Sequence, residues 1–208
     1  MLALTGGKGG CGKTTTALGL ARTFAQRGHD PLVVDTDCDM PDLHHVARIE
    51  RTFGTDALAA GTQTAQVVQY SDRFPGVALV TAGSPDQVGA ALRAIDWPGP
   101  VLVDCPAGVG PDATCPLRAA DAALVVTTDD PQSLEDSRRT VRAAHQLGTP
   151  PVGALVRAVV AGTDCAPETV GSCPVRAAVP SVVDPFDTPQ VARAWDRLAA
   201  ALAGRETA

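Results

Sequence analysis

Leu2-Ala3-Leu4-Thr5-Gly6-Gly7-Lys8-Gly9-Gly10-Cys11-Gly12-Lys13-Thr14-Thr15 decides how this chain folds. A short apolar run, Leu2–Leu4, reads as a buried strand. A glycine-rich string follows, and Thr14–Arg27 then places Leu18, Ala21 and Ala25 on one helical face. Gly7 to Thr14 match G-x-x-x-x-G-K-T in the strand–loop–helix context that makes a phosphate cradle. Gly7, Gly9, Gly10, Cys11 and Gly12 supply backbone N–H groups that can turn inward on a phosphate. The helix behind them, opening through Thr15, adds its positive dipole end. Lys13 is the point charge for the terminal phosphates, and the Thr14 hydroxyl is a ligand for Mg2+.

Two further apolar runs end in acids. Leu32-Val33-Val34 leads into Asp35-Thr36-Asp37-Cys38-Asp39, and Val101-Leu102-Val103 leads into Asp104-Cys105-Pro106-Ala107-Gly108. Ligands of open α/β sheets bind beyond the carboxyl ends of the strands, so these acids are expected beside the phosphate loop. There, carboxylates can hold the water shell of a Mg2+ ion and orient an attacking water. Asp104 reads as the Walker B acid, and an Asx turn ending the strand is the competing role for Asp35.

Working outward, Val77–Val80, Ala122–Val126 and Val152–Val156 read as further buried strands. Pro85–Ala94, Ser133–Leu147 and Thr188–Ala203 read as helices, with Ser133 a candidate cap. Strands buried on both faces and alternating with helices predict a doubly wound, mostly parallel α/β sheet, here as one domain over residues 1–208. Glu50–Gly76 has no clear period; a helix is expected at Thr62–Tyr70. Ala161–Pro174, rich in Gly, Pro and Cys, reads as a surface loop.

The 208 residues carry a formal charge of -6, which disfavours a globally basic nucleic-acid binder. Fifteen of the seventeen basic residues are Arg, so the two lysines, Lys8 and Lys13, stand out as positions that need an ammonium. Six cysteines form no C-x-x-C pair, and free thiols are expected. No apolar run is long enough to span a membrane, and MLALTGGKGG has no leader pattern, so a cytoplasmic location is expected.

The string KGGCGKTT, with a lysine near its start, resembles the deviant phosphate loop of the MinD/ParA family of ATPases. Asp35-Thr36-Asp37, Asp104-Cys105-Pro106-Ala107-Gly108, and the run from Ala122 through Thr127-Thr128 to Ser133 are similar to that family's later motifs and keep its order. The resemblance covers Leu2 to about Leu147. It implies an ATPase using ATP and Mg2+, slow and stimulated by a partner. Its nucleotide-dependent homodimer would act as a positioning switch for a division site, a motility or chemosensory assembly, or another cargo. It implies that Lys8 crosses to the other subunit's nucleotide, that Asp37 positions water, and that Asp35 lies nearer the metal.

The chain also departs from the family. Many relatives carry an adenine-reading Asn after the strand at Val152–Val156; here Arg157 follows, and Arg157 or backbone near Val179–Pro180 is the expected base contact, with GTP left open. The tail lacks a lysine cluster, and Val191, Trp195, Leu198 and Leu202 read as a core seam, so direct membrane binding is not favoured. Arg138, Arg139 and Arg142 allow a second reading, a DNA-binding partition ATPase, although pairing with Glu135 and Asp136 is the simpler one. Cys11, Cys38 and Cys105, inside the nucleotide motifs, allow a third: a metal-cluster carrier or electron-transfer ATPase.

Overall fold

The computed structural model describes residues 1–158 and 167–203. The strands are β1 (Leu2–Thr5), β2 (Leu32–Asp35), β3 (Gln69–Tyr70), β4 (Ala78–Val80), β5 (Val101–Asp104), β6 (Ala122–Thr128), β7 (Pro151–Arg157), β8 (Thr169–Val170) and β9 (Cys173–Val179). The helices are α1 (Lys13–Gln26), α2 (Leu43–Ala47), α3 (Gly54–Ala59), α4 (Thr64–Val67), α5 (Val88–Ala94), α6 (Pro111–Ala119), α7 (Pro131–Gln146) and α8 (Pro189–Ala203).

They form one sheet in the order β3-β4-β2-β5-β1-β6-β7-β9-β8. All pairings are parallel except β3–β4 and β8–β9 at its two edges. The predicted doubly wound α/β architecture is therefore present. The central strands β2 and β5 are buried at every residue, which is why they read as unbroken apolar runs. One layer packs α1 and α8 on the sheet through Leu18, Phe24 and Leu198. The other buries Leu58, Leu92 and Leu117, from α3, α5 and α6, on the opposite face.

Several expectations need correction. The helix expected at Thr62–Tyr70 shrinks to α4, and Gln69–Tyr70 instead pairs antiparallel with β4. Ser133 does not cap α7: Asp130 does, its Oδ1 accepting from Ser133 N at 3.0 Å. The loop reading of Ala161–Pro174 fails at its end, where Thr169–Val170 and Cys173–Pro174 are strand residues. Cys165 and the rest of 161–166 lie outside the described residues. The seam on α8 packs as expected: Val191, Trp195 and Leu198 are buried, and Leu202 packs partly buried against them.

Candidate functional site

The phosphate loop leaves β1 through two glycines that have no room for a side chain. A Cβ on Gly6 would lie 2.4 Å from the Val126 carbonyl oxygen, and one on Gly7 would lie 2.4 Å from the backbone of Asp136 on α7. The loop is thus wedged between β6 and α7. Beyond the wedge it opens. Gly10 and Gly12 hold φ of 73° and 100°, and a Cβ on Gly9, Gly10 or Gly12 would meet nothing within 4 Å. This is an open cradle lined by backbone, as anion binding needs. Lys13 begins α1 and is buried, with Thr14 and Thr15 half-buried behind it. Lys8, in contrast, is exposed. It lies close enough to the start of α7 to help the Thr128 hydroxyl and the Ser133 amide hold the Asp130 carboxyl below its usual range.

The two acid-terminated strands lie side by side, and their last residues, Asp35 and Asp104, are register partners. Asp35 is 1% exposed. Its Oδ1 accepts from Asp37 N at 3.0 Å and its Oδ2 from Leu43 N at 3.3 Å. Burial, then the neighbouring Asp104, push its carboxyl well above the usual carboxylate range. The Asx turn weighed from sequence is present, and both oxygens of Asp35 hold the chain that follows.

Asp104 is 2% exposed, yet its Oδ1 has no hydrogen-bond partner. Burial pushes its carboxyl up to about 7, against the pull of the Thr14 hydroxyl, which bonds to it, and of Lys13. Its own backbone oxygen is held by Thr36 N and Thr36 Oγ1 at 2.9 and 2.7 Å. A bare buried carboxylate oxygen beside a threonine hydroxyl at the mouth of a phosphate cradle fits a hard divalent cation that keeps most of its waters. Asp37 sits half-buried one turn out, its Oδ1 accepting from Met40 N at 3.1 Å.

Behind the loop lies a pocket of about 240 Å³, walled by Gly10–Gly12, Thr15, Arg157, Pro180 and Trp195 among others. Arg157 Nη2 donates to Gly10 O at 2.7 Å, tying the end of β7 to the phosphate loop. The loop residues Gly10, Cys11, Gly12 and Thr15, and the expected base contacts Arg157 and Val179–Pro180, all line it; Trp195 and the valines beyond Pro180 were not expected there. Trp195 carried a signal only as a seam residue, and its packing over Gly19 comes from tertiary structure alone. A hollow of about 890 Å³, lined by Phe24, Trp97 and Leu202 among others, lies at the amino ends of the strands, away from the glycine loop.

The surroundings bear on the other readings. Arg138 pairs with Glu135 at 3.2 Å, Arg139 with Asp136 at 3.4 Å, and Arg142 with Glu135 at 4.0 Å, so α7 shows a mixed ion-pair face. Cys11, Cys38 and Cys105 are unbridged. Burial raises all three thiols, Cys38 to about 11 and Cys105 furthest, opposite to the shift that metal–thiolate chemistry uses. Among the described residues, no group of three or more His, Cys, Asp or Glu side chains could hold a metal ion, and no helix is long and apolar enough to cross a membrane.

Comparisons with known proteins agree with this geometry. An uncharacterized ATP-binding protein of Methanocaldococcus jannaschii is 31% identical over 170 residues, which cover 76% of this chain and 64% of that protein. The septum site-determining protein MinD of Bacillus subtilis is 28% identical over 161 residues, 70% of this chain and 59% of that one. The chain thus spans less than two thirds of the length of both. The fold matches that of MinD from Pyrococcus horikoshii, solved in complex with Mg-ADP, with a TM-score of 0.84 at 21% identity over 99% of this chain and 97% of that one. Residues 2–164 match the family model of the CobQ/CobB/MinD/ParA nucleotide binding domain, and with the phosphate loop and the two strand-end acids in place, the chain belongs to that family.

Proposed function

We propose that this chain is a Mg-ATP-dependent ATPase of the MinD type that dimerises through its nucleotide face and works as a spatial-positioning switch with a protein partner. The observation that carries this reading is the contrast between its two lysines: Lys13 is buried behind the cradle, and Lys8 is exposed at its mouth. A lysine serving its own subunit's nucleotide belongs where Lys13 is. Lys8 is free to reach the nucleotide of a facing copy. Met40, Val109, Val182 and Val183, all exposed, lie on loops that leave the carboxyl ends of β2, β5 and β9. Apolar residues ringing a nucleotide site suit a face that a second copy covers.

In this reading the backbone of Gly7–Gly12 and the Lys13 ammonium hold the phosphates. Thr14 and Asp104 would hold Mg2+, which when bound would supply neutralisation of charge on the phosphoryl group. Asp35 lies beside them and fixes the loop that carries Asp37. Asp37 orients the water that attacks the terminal phosphorus. Hydrolysis cleaves the terminal phosphoryl group as inorganic phosphate, and its departure takes away the charge that Lys8 of the facing copy contacts, so the copies separate. Gly108 N donates to Gly6 O at 2.9 Å, which ties the loop after Asp104 to the phosphate loop.

Solution mass by light scattering tests this. Wild type, Lys8→Ala and Asp37→Ala are measured with Mg2+ and no nucleotide, ADP or ATP. The expected result is an ATP-dependent dimer for Asp37→Ala and none for Lys8→Ala. Monomers throughout would remove the dimer switch and leave a nucleotide-binding domain.

A further inference from the structure

We propose that Arg73 is a positioning residue for nucleotide turnover. It fastens the outer wall of the pocket behind the phosphate loop to α2, so that a base and ribose seated in that pocket help to fix the stretch that carries Asp37. This rests on the proposed ATPase and deepens it: the placement of Asp37 depends on the end of the nucleotide furthest from the chemistry.

The connection runs outward from the acid end of β2. Asp35 Oδ2 accepts from the amide of Leu43, the first residue of α2, so the chain around Asp37 ends on that helix. α2 has only five residues, and its last carbonyls need partners from elsewhere. Arg48 N and Ile49 N return to His45 O and His44 O, which leaves Val46 O and Ala47 O. The turn after β3 supplies both donors. Ser71 Oγ donates to Ala47 O, and Arg73 Nη1 donates to Val46 O at 3.0 Å. α2 is therefore held at one end by an acid of the site and at the other by this turn.

Arg73 also meets the pocket wall. Its Nη2 lies 3.8 Å from Asp184 Oδ2, and its guanidinium stands over the Phe186 ring, 5.2 Å from the centroid. Asp184 sits between Val183 and Pro185, which both line the pocket. Its Oδ1 accepts from Phe186 N at 3.0 Å and its carbonyl oxygen from Thr188 Oγ1 at 2.7 Å, so residues 184–188 form a tied turn. Phe186 packs on Trp195, another wall residue, with ring centroids 5.6 Å apart. Phe74, next to Arg73, packs edge-on against Phe186 at 4.8 Å. The two turns thus share an apolar contact, and Arg73 extends it to α2. A guanidinium offers several donors in one plane and can serve a carbonyl, a carboxylate and a ring together, which an ammonium cannot. The pair with Asp184 is long and half-exposed, so it adds little to stability. What it adds is a set spacing between the pocket wall and α2.

Steady-state phosphate release with Mg2+ tests this on the whole chain, comparing ATP with inorganic tripolyphosphate, which has the phosphates and nothing to fill the pocket. Wild type should show a kcat for ATP about tenfold or more above that for tripolyphosphate, because remote contacts that fix the reacting geometry raise kcat as well as lowering KM. Arg73→Gln and Asp184→Asn should each lower kcat for ATP about fivefold with KM little changed, and the double variant should lower it no further than either alone. Melting temperatures should stay within a few degrees of wild type. Equal kcat for the two substrates in wild type overturns the inference without any variant and leaves the ATPase standing. An unchanged kcat for ATP in the variants overturns it too, as do single losses that multiply in the double variant. A kcat that falls equally for both substrates makes Arg73 a support of α2 alone and also overturns it. Phosphate release from neither substrate removes the ATPase reading, and this inference with it.

Discussion

Asp35 and Asp104 end adjacent parallel strands, in register, both buried, and both with carboxyls pushed upward in pKa by burial. Their surroundings give them different work. The chain after Asp35 curls back and donates two backbone amides to its oxygens. The chain after Asp104 runs on through Pro106, which has no N–H, and leaves Oδ1 bare. The same residue type at the same depth is structural in one place and free for a ligand in the other. What separates them is the local path of the next few residues.

Replacing each acid should give opposite results. Asp104→Asn is expected to weaken Mg2+-dependent nucleotide binding by roughly 10–100-fold while leaving the nucleotide-free chain as stable as wild type or more so, because a buried carboxyl with one bare oxygen is removed. Calorimetry with and without Mg2+ measures the first part, and thermal melting the second. Asp35→Asn should do the reverse. An amide side chain can accept only one of the two backbone donors and turns its own N–H2 towards the other. Urea unfolding should then show a loss of about 2 kcal/mol with an unchanged slope. If both variants lose stability equally, the distinction fails.

The double variant sharpens the comparison. Asp104 raises the Asp35 carboxyl because two buried negative charges repel. Each single replacement already relieves that repulsion, so the double variant should be about 1 kcal/mol less stable than the sum of the two single changes predicts, measured by the same urea midpoints. Strict additivity would mean that the pair never carries two charges at once.

The smallest effect concerns the thiols beside the acids. Burial, then Asp35 and Asp37, raise Cys38 to about 11, and burial with Asp104 raises Cys105 further. A raised thiol pKa keeps the unreactive protonated form at every pH below it, so iodoacetamide at neutral pH should leave both unmodified in the folded chain. Modification of Cys38 should climb only as pH approaches 11. Rapid labelling of Cys38 at neutral pH, seen by peptide mass spectrometry, would show that the acids on the β2 side are not where they are described.

The central sheet was legible in the sequence because its strands are buried on both faces and write themselves as apolar runs. The cradle and the strand-end acids were legible because their chemistry is local. The flanks were not. α2 ends at Arg48 and α3 begins after Phe53, both with φ above 50°, a left-handed backbone that neither side chain advertises. β9 alternates exposed Arg176 and Ala178 with buried Ala177 and Val179, and alanines carry little hydrophobic signal. The pocket wall was half legible: Arg157 stands at a strand end, whereas Trp195 arrives from α8, far away in sequence, to pack over a glycine.

The two amides on Asp35 also set how the following segment can move. They pin Leu43 to the strand end eight residues earlier, which closes residues 36–42 into a hoop. A hoop swings about its pinned ends as a unit, with far fewer shapes open to it than an untethered strap of the same length. Spin labels placed at Met40 and on α1 should therefore report one narrow distance per ligand state. Cutting the pin with Asp35→Asn should blur those distances into a continuum without changing their mean.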